Sequence, residues 1–273
     1  MFNTVPITVL GEDITKKNLD EDSEIIGLEL AISGRQLDFR IAAGGNAKLA
    51  DIVPAARVIC GKITDILTEK MNHDGIYIPC HKGCYACCNY LVSLSAPEIF
   101  RFKQEIFPKS KYSPDTMLRT YLLSARQLIK HRPPEQLTNR LSPNASNALD
   151  DFNPLSRWYA SLNLTCPFLY SRQCSIYHQR PLVCREHFVT GAAQGCRKNS
   201  SKAQAVELPI RMGNILCRLT KELCDVDDTV MMPLALAWYE ENKQLDERTW
   251  PAEIIAKLFV EIIEETVPAI VNS

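Results

Sequence analysis

The run CHKGCYACC places Cys80, Cys84, Cys87 and Cys88 within nine residues, a density of sulfur that suits metal chemistry. Zinc takes four ligands near a tetrahedron, and cysteines two or three residues apart on a tight turn supply them in pairs while backbone N–H groups point at the sulfurs. Iron and iron–sulfur clusters ask for the same residues. Gly83 is free to take a positive φ at the bend. The interleaved His81 and Lys82 fit neither a helix nor a strand period, so these cysteines do not read as ordinary apolar core. A second set follows at spacings of eight to twelve residues: Cys166 in TCPFL, Cys174 in QCSIY, Cys184 in LVCRE and Cys196 in GCRKN.

The order CHKGCYACC, then Ser95-Ala96-Pro97-Glu98, then CPFLYSRQCSIYHQRPLVCR resembles the YkgJ-type cysteine-cluster family, also described as a zinc- or iron-chelating domain. The resemblance covers about residues 76–198. It implies Cys80, Cys84, Cys87, Cys88, Cys166, Cys174 and Cys184 as metal ligands, with Cys196 as a further member, and it implies no particular reaction.

Adjacent Cys87 and Cys88 point to different sides of most backbones, so both on one tetrahedral ion would be strained. Eight thiols therefore allow two four-ligand sites, one cluster with spare redox thiols, or one zinc with cysteines beyond its ligands. Thiolates also accumulate negative charge, which Arg180 and Arg185 are placed to offset as cations around the metal site by charge-assisted hydrogen bonds to sulfur. Phe168 and Tyr177 read as packing. His81, His178 and His187 are near enough in sequence to ligate but redundant beside so many thiols, and His73 and His131 read as surface residues. Cys60, Cys217 and Cys224 read as helix residues, the last two sharing a face with Ile210.

The elements that hold these segments are mostly helical. The predicted fold class is mainly α (α+β), with helices around a loop-rich cysteine-cluster metal region and a short N-terminal β-hairpin. The expected organisation is 1–25 as an N-terminal extension or a weakly held first strand, 26–75 as a hairpin plus helix, 76–198 as the metal-binding region, and 199–273 as a C-terminal helical region. LELAIS and LDFRIA alternate apolar and polar positions, predicting a hairpin at Leu28 to Ala42 about Gly34-Arg35-Gln36. A helix is expected from Lys48 to Met71, with Pro54 in its first turns and Gly75 past its end. Ser95-x-x-Glu98 has the spacing of a capping box, so a helix should start there, with Ile99, Phe100, Phe102 and Ile106 fitting one face loosely. Met117, Leu118, Tyr121, Leu122 and Leu128 form a clearer stripe. Residues 132–154 read as a Pro- and Asn-rich loop. Helical spacing returns over Val206–Leu223 and Pro251–Val267, the latter with Ile254, Ile255, Leu258, Phe259, Ile262 and Ile263 on one face.

Net charge is -1 over 273 residues, which indicates no general nucleic-acid binder. The charge is uneven: both ends are acidic, whereas Cys166 to Lys202 carries Arg172, Arg180, Arg185, Arg197, Lys198 and Lys202 against the single Glu186. No stretch is long and apolar enough to span a bilayer, and MFNTVPITVLGED lacks the cationic start and apolar run of a signal peptide. The expectation is a cytoplasmic protein whose cysteines are not paired as disulfides. Its expected partners are a metal ion and a protein docking on the metal-ordered surface, with no membrane and no nucleic acid indicated.

Three functions compete. The first is a metal-binding protein holding zinc or iron, an iron–sulfur cluster included, through thiolates. The second is an enzyme. Cys80, Cys84 and Cys87 have the C-x3-C-x2-C spacing of radical S-adenosylmethionine enzymes, but Ala86 stands where those carry an aromatic residue, and a barrel of alternating strands and helices is not expected here. The wider cysteine-cluster family includes proteins resembling flagellin lysine N-methylase, for which Gly44-Gly45 would be the only nearby double glycine. The third is a zinc-ordered protein-interaction module.

Overall fold

A computed structural model describes residues 5–11, 22–106, 114–131, 153–198 and 203–267. The chain is a mixed α+β fold, mainly helical, with small antiparallel sheets. At the N-terminal end, β1 (Ile7–Val9), β2 (Glu24–Ile32) and β3 (Arg35–Ala43) form a sheet in the order β1-β3-β2. The β2–β3 hairpin turns at Ser33 and Gly34, both at positive φ, one step earlier than the turn expected at Gly34-Arg35-Gln36. Two successive left-handed residues match the twist of a two-residue hairpin, which pulls Arg35 and Gln36 into β3. Alternation sends Leu28, Leu30, Ile32, Phe39 and Ile41 to the buried face. Ile7 is fully buried, so of the two readings of the N-terminal stretch its residues 7–9 follow the strand.

After β4 (Asn46–Ala47) and a 3-10 turn at Leu49–Ile52, α1 (Val53–His73) crosses this sheet, with Pro54 in its first turn and Gly75 at positive φ just past its end. The main core joins the sheet and α1 to the later helices α7 (Met212–Cys224) and α10 (Ala252–Thr266). Helix α7 begins six residues later than the periodicity from Val206 suggests. Its first N–H, on Met212, is captured by the Glu186 carboxylate, a tertiary cap that no local pattern announces. In α10 Ile255, Phe259, Ile262 and Ile263 are buried, but Ile254 is exposed and falls off the predicted face.

Strand β5 (Ser93–Ser95) leads into α2 (Ala96–Ile106), where Ile99, Phe100, Phe102 and Ile106 are all buried. These four serve two separate apolar clusters, Phe100 in one and the other three in the next, which is why they fit a single stripe poorly. In α3 (Pro114–Lys130) Met117, Tyr121 and Leu128 are buried while Leu118 and Leu122 are exposed, so the stripe is narrower than expected. The predicted loop at 132–154 lies outside the described residues, except for its last two positions, which open α4 (Asn153–Ser161).

The second cysteine segment is built from very short pieces. They are β6 (Leu169–Tyr170) paired with β7 (Gln173–Cys174), a 3-10 turn at Tyr177–Gln179, α5 (Leu182–Glu186), β8 (Val189–Gly191), α6 (Ala193–Lys198), and β9 (Ala203–Ala205) paired with β8. The chain then runs through α7, β10 (Thr229–Met231, paired with β5), α8 (Ala235–Glu241), α9 (Lys243–Asp246) and β11 (Trp250–Pro251) into α10. Every described sheet is antiparallel and has two or three strands, so none is the parallel barrel of the radical enzymes. Among the described residues no helix is long and apolar enough to cross a membrane.

Candidate metal centre

The two cysteine segments are adjacent in space, because the Cys166 N–H donates to the Cys88 carbonyl at 2.7 Å. In the first segment, turn bonds from Cys84 N–H to His81 O (3.0 Å), Cys88 N–H to Tyr85 O (3.1 Å) and Tyr90 N–H to Cys87 O (2.9 Å) fold the chain into consecutive tight bends. Gly83 takes a φ of 98° there, the conformation its sequence position anticipates. All eleven cysteines are free thiols.

The buried Glu98 carboxylate couples the segments from below. One oxygen accepts from the Ser95 N–H at 3.2 Å, the Glu98 half of the predicted capping box of α2, and from the Ser95 hydroxyl at 3.0 Å. The other accepts the Leu182 N–H at 2.8 Å, which fixes the start of α5 and hence Cys184. Burial raises the Glu98 pKa, against the pull of the Leu182 and Ser95 donors. Phe168, between Cys166 and Cys174, packs its ring edge-on to Phe102 at 5.3 Å and near Tyr121 at 6.0 Å. Cys166, Cys174 and Cys184 rest against that aromatic cluster. Cys84 and Cys196 belong to a different small one with Ala86 and Val189.

The eight thiols lie within one another's electrostatic reach. Each of Cys80, Cys84, Cys87 and Cys196 is within electrostatic range of the other three. Cys166 likewise feels Cys88 and Cys174, Cys184 feels Cys166 and Cys174, and Cys88 feels Cys174. The same influence crosses between these sets, because Cys87 bears on Cys166 and Cys184, Cys88 bears on Cys87, and Cys84 bears on Cys88. Burial first, and neighbouring thiolates second, push Cys87 up to about 12 and Cys88 to about 11. Cys166 rises to about 12, again chiefly by burial, although the Phe168 N–H opposes the rise. Cys184, partly buried against the aromatic cluster, lies well above the ordinary thiol range for the same first reason. In the absence of a cation these thiols repel one another's charge, so a cation that enters must displace their protons.

Backbone donors already aim at sulfur: the Phe168 N–H at Cys166, the Ile176 N–H at Cys174 and the Val189 N–H at Cys80. The first two come from the residue two places after the cysteine, the geometry of a turn that wraps a thiolate. Arg180 lies over the Tyr177 ring at 3.8 Å, and its charge favours thiolate at Cys80, Cys88, Cys174 and Cys184. Arg185 bears instead on Cys60 and braces the 178–180 loop by donating to the Arg180 carbonyl at 3.0 Å and to the His178 carbonyl. Thus one of the two arginines acts on the sulfurs and the other holds the first in place. Among the described residues no three His, Cys, Asp or Glu side chains already stand in a metal-holding arrangement.

The other candidates separate cleanly. His73 is exposed, and His81 bonds through Nδ1 to the Pro79 carbonyl at 2.8 Å. His187 lies away from the sulfurs against the Tyr90 ring, at 5.5 Å between centroids. Cys60 and Cys217 are core residues, and Cys224 packs beside Trp238 and Trp250. Sequence reasoning missed Glu186 and Tyr90. The Tyr90 hydroxyl donates to the Cys196 carbonyl, tying the two segments together a second time. A lone tyrosine and a lone glutamate carry no spacing signal that would have found them.

Residues 79–207 match the family model described as "CxxCxxCC: Putative zinc- or iron-chelating domain". The match spans all eight gathered thiols and extends through β9. No curated protein and no solved structure matches the chain.

Proposed function

We propose that the protein binds two metal ions, zinc or iron, in two neighbouring four-thiol sites: Cys80, Cys84, Cys87 and Cys196 in one, Cys88, Cys166, Cys174 and Cys184 in the other. The observation that supports this reading is the meeting of the two segments at Cys88 and Cys166, with Cys80, Cys84, Cys87 and Cys196 all within electrostatic reach of one another and Cys166 within reach of Cys88, Cys174 and Cys184. Adjacent Cys87 and Cys88 then serve different ions, which removes the strain of placing both on one. Four thiolates around a divalent ion leave a formal charge of about -2, and Arg180 with the N–H donors at Cys80, Cys166 and Cys174 offsets part of it. With iron, the same eight thiols suit two clusters. Ion binding joins two chain segments far apart in sequence, so it contributes directly to the stability of the region.

Elemental analysis of protein purified without oxygen tests the proposal, with an absorption spectrum to separate colourless zinc from brown iron–sulfur. Wild type should hold two zinc ions, or two iron centres, per chain. Cys84→Ser and Cys174→Ser should each remove about half of the metal and the double variant nearly all, while Cys60→Ser should remove none. A single ion in wild type, or equal loss in Cys60→Ser and Cys84→Ser, would rule out the two-site assignment.

A further inference from the structure

A cavity of about 410 Å³ opens beside the cysteine segments, between the end of β5, α4, α5 and the start of α7. That volume lies within the range of small-molecule sites, roughly 300–1,000 Å³. Leu91, Leu94, Val183, Phe188 and Val206 give it largely apolar walls. Its polar groups are few and unevenly engaged. The Glu98 carboxylate is committed to the Ser95 and Leu182 N–H groups, and that of Glu186 to the N–H groups of Met212 and Gly213. A ligand would share either carboxylate with these backbone donors.

Arg211 and His187 are in the opposite condition. Arg211 lines the cavity, and its guanidinium makes no hydrogen bond among the described residues, although its charge reaches Glu186 and His187. His187 Nε2 is sealed from solvent and has no hydrogen-bond partner among the described residues. A second guanidinium, Arg157 of α4, also borders the space. A buried polar atom without a partner costs about 1–3 kcal/mol, a cost that a ligand supplying the missing bond removes.

We propose that this cavity binds a small organic acid, its carboxylate held by Arg211 and by the Nε2–H tautomer of His187, and its apolar body against Leu94, Val183, Phe188 and Val206. A cationic ligand would meet two guanidiniums and would have to compete with backbone N–H groups for both carboxylates. A neutral one would leave the Arg211 guanidinium without a carboxylate to bond, since the one whose field it shares, Glu186, is bonded to Met212 and Gly213. The site does not depend on the metal assignment. It shares one wall with the cysteine segments through Tyr90, whose ring meets His187 and whose hydroxyl reaches Cys196.

Calorimetric titration of the full chain, as isolated with its metal, tests the proposal with three probes of one shape: 4-phenylbutyrate, 4-phenylbutanamide and 4-phenylbutylamine. The carboxylate should bind at least about tenfold more tightly than the other two, as expected for a desolvated charge-assisted pair. Arg211→Gln should erase that preference with metal content unchanged. Ala160→Trp, on the cavity wall but outside the buried core, should abolish binding of the carboxylate by filling the space. Equal binding of the three probes, tightest binding of the amine, no binding of any, or a preference that survives both substitutions would each overturn the proposal.

Discussion

Removing the Glu98 side chain should destabilise the protein by an amount that can be worked out from its hydrogen bonds. Glu98→Ala strands two buried donors, the N–H of Ser95 and the N–H of Leu182, and frees the Ser95 hydroxyl. Each stranded donor costs about 1–3 kcal/mol, hence about 2–6 kcal/mol together. Part of this is returned, because the buried carboxylate carries a desolvation cost, visible in its raised pKa, that alanine does not. The expected net loss is about 3 kcal/mol, or about 6–12 °C in Tm for a chain of this size. Glu98→Gln keeps an acceptor for Leu182 but presents an amide NH2 to the Ser95 N–H, so it should fall between wild type and alanine. Ser95→Ala, losing only the hydroxyl bond, should cost least. Urea unfolding of the metal-free protein, followed by circular dichroism, gives the order. If Glu98→Ala unfolds within about 0.5 kcal/mol of wild type, then this carboxylate does not join α2 to α5 and the coupling of the two cysteine segments must lie elsewhere.

The remaining predictions concern the same region. Burial, opposed by the Met212 N–H, lifts Glu186 from 4.5 to about 7, so its favourable protonation is complete below pH 4.5 and is lost as pH rises through about 7. The stability of wild type relative to Glu186→Gln should therefore fall by about 3 kcal/mol between pH 4.5 and pH 8, and a pH-independent difference would contradict the burial of that carboxyl. Phe168→Ala removes a buried ring from the aromatic cluster and should cost about 3–5 kcal/mol in urea unfolding, with metal loss confined to the Cys166 group. Loading the metal-free protein at neutral pH should release close to one proton per thiol engaged, measured with an indicator dye, because Cys87, Cys88 and Cys166 start as neutral thiols.

Local chemistry made much of this legible before any coordinates. The hairpin alternation over β2 and β3, the Ser95-x-x-Glu98 cap, Gly83 at the bend and the apolar face of α10 are all short-range patterns, and a short-range pattern is written in neighbouring residues. Boundaries set by distant partners were not legible. Helix α7 starts at Met212 because a carboxylate 26 residues earlier caps it, and Leu118, Leu122 and Ile254 are exposed because helix packing, rather than hydropathy, decides how wide a buried stripe becomes.

The sequence by itself determined that sulfur chemistry is concentrated in CHKGCYACC and in the segment from Cys166 to Cys196, since ligand type and spacing are covalent facts. Only the tertiary structure decided that the two cysteine segments meet at Cys88 and Cys166, that Arg180 bears on their thiols while Arg185 braces the loop, and that Arg211 and His187 share a cavity with apolar walls. The reason is physical: side chains more than about ten residues apart meet only when the chain between them has been packed, and the packing depends on contacts from every other part of the molecule.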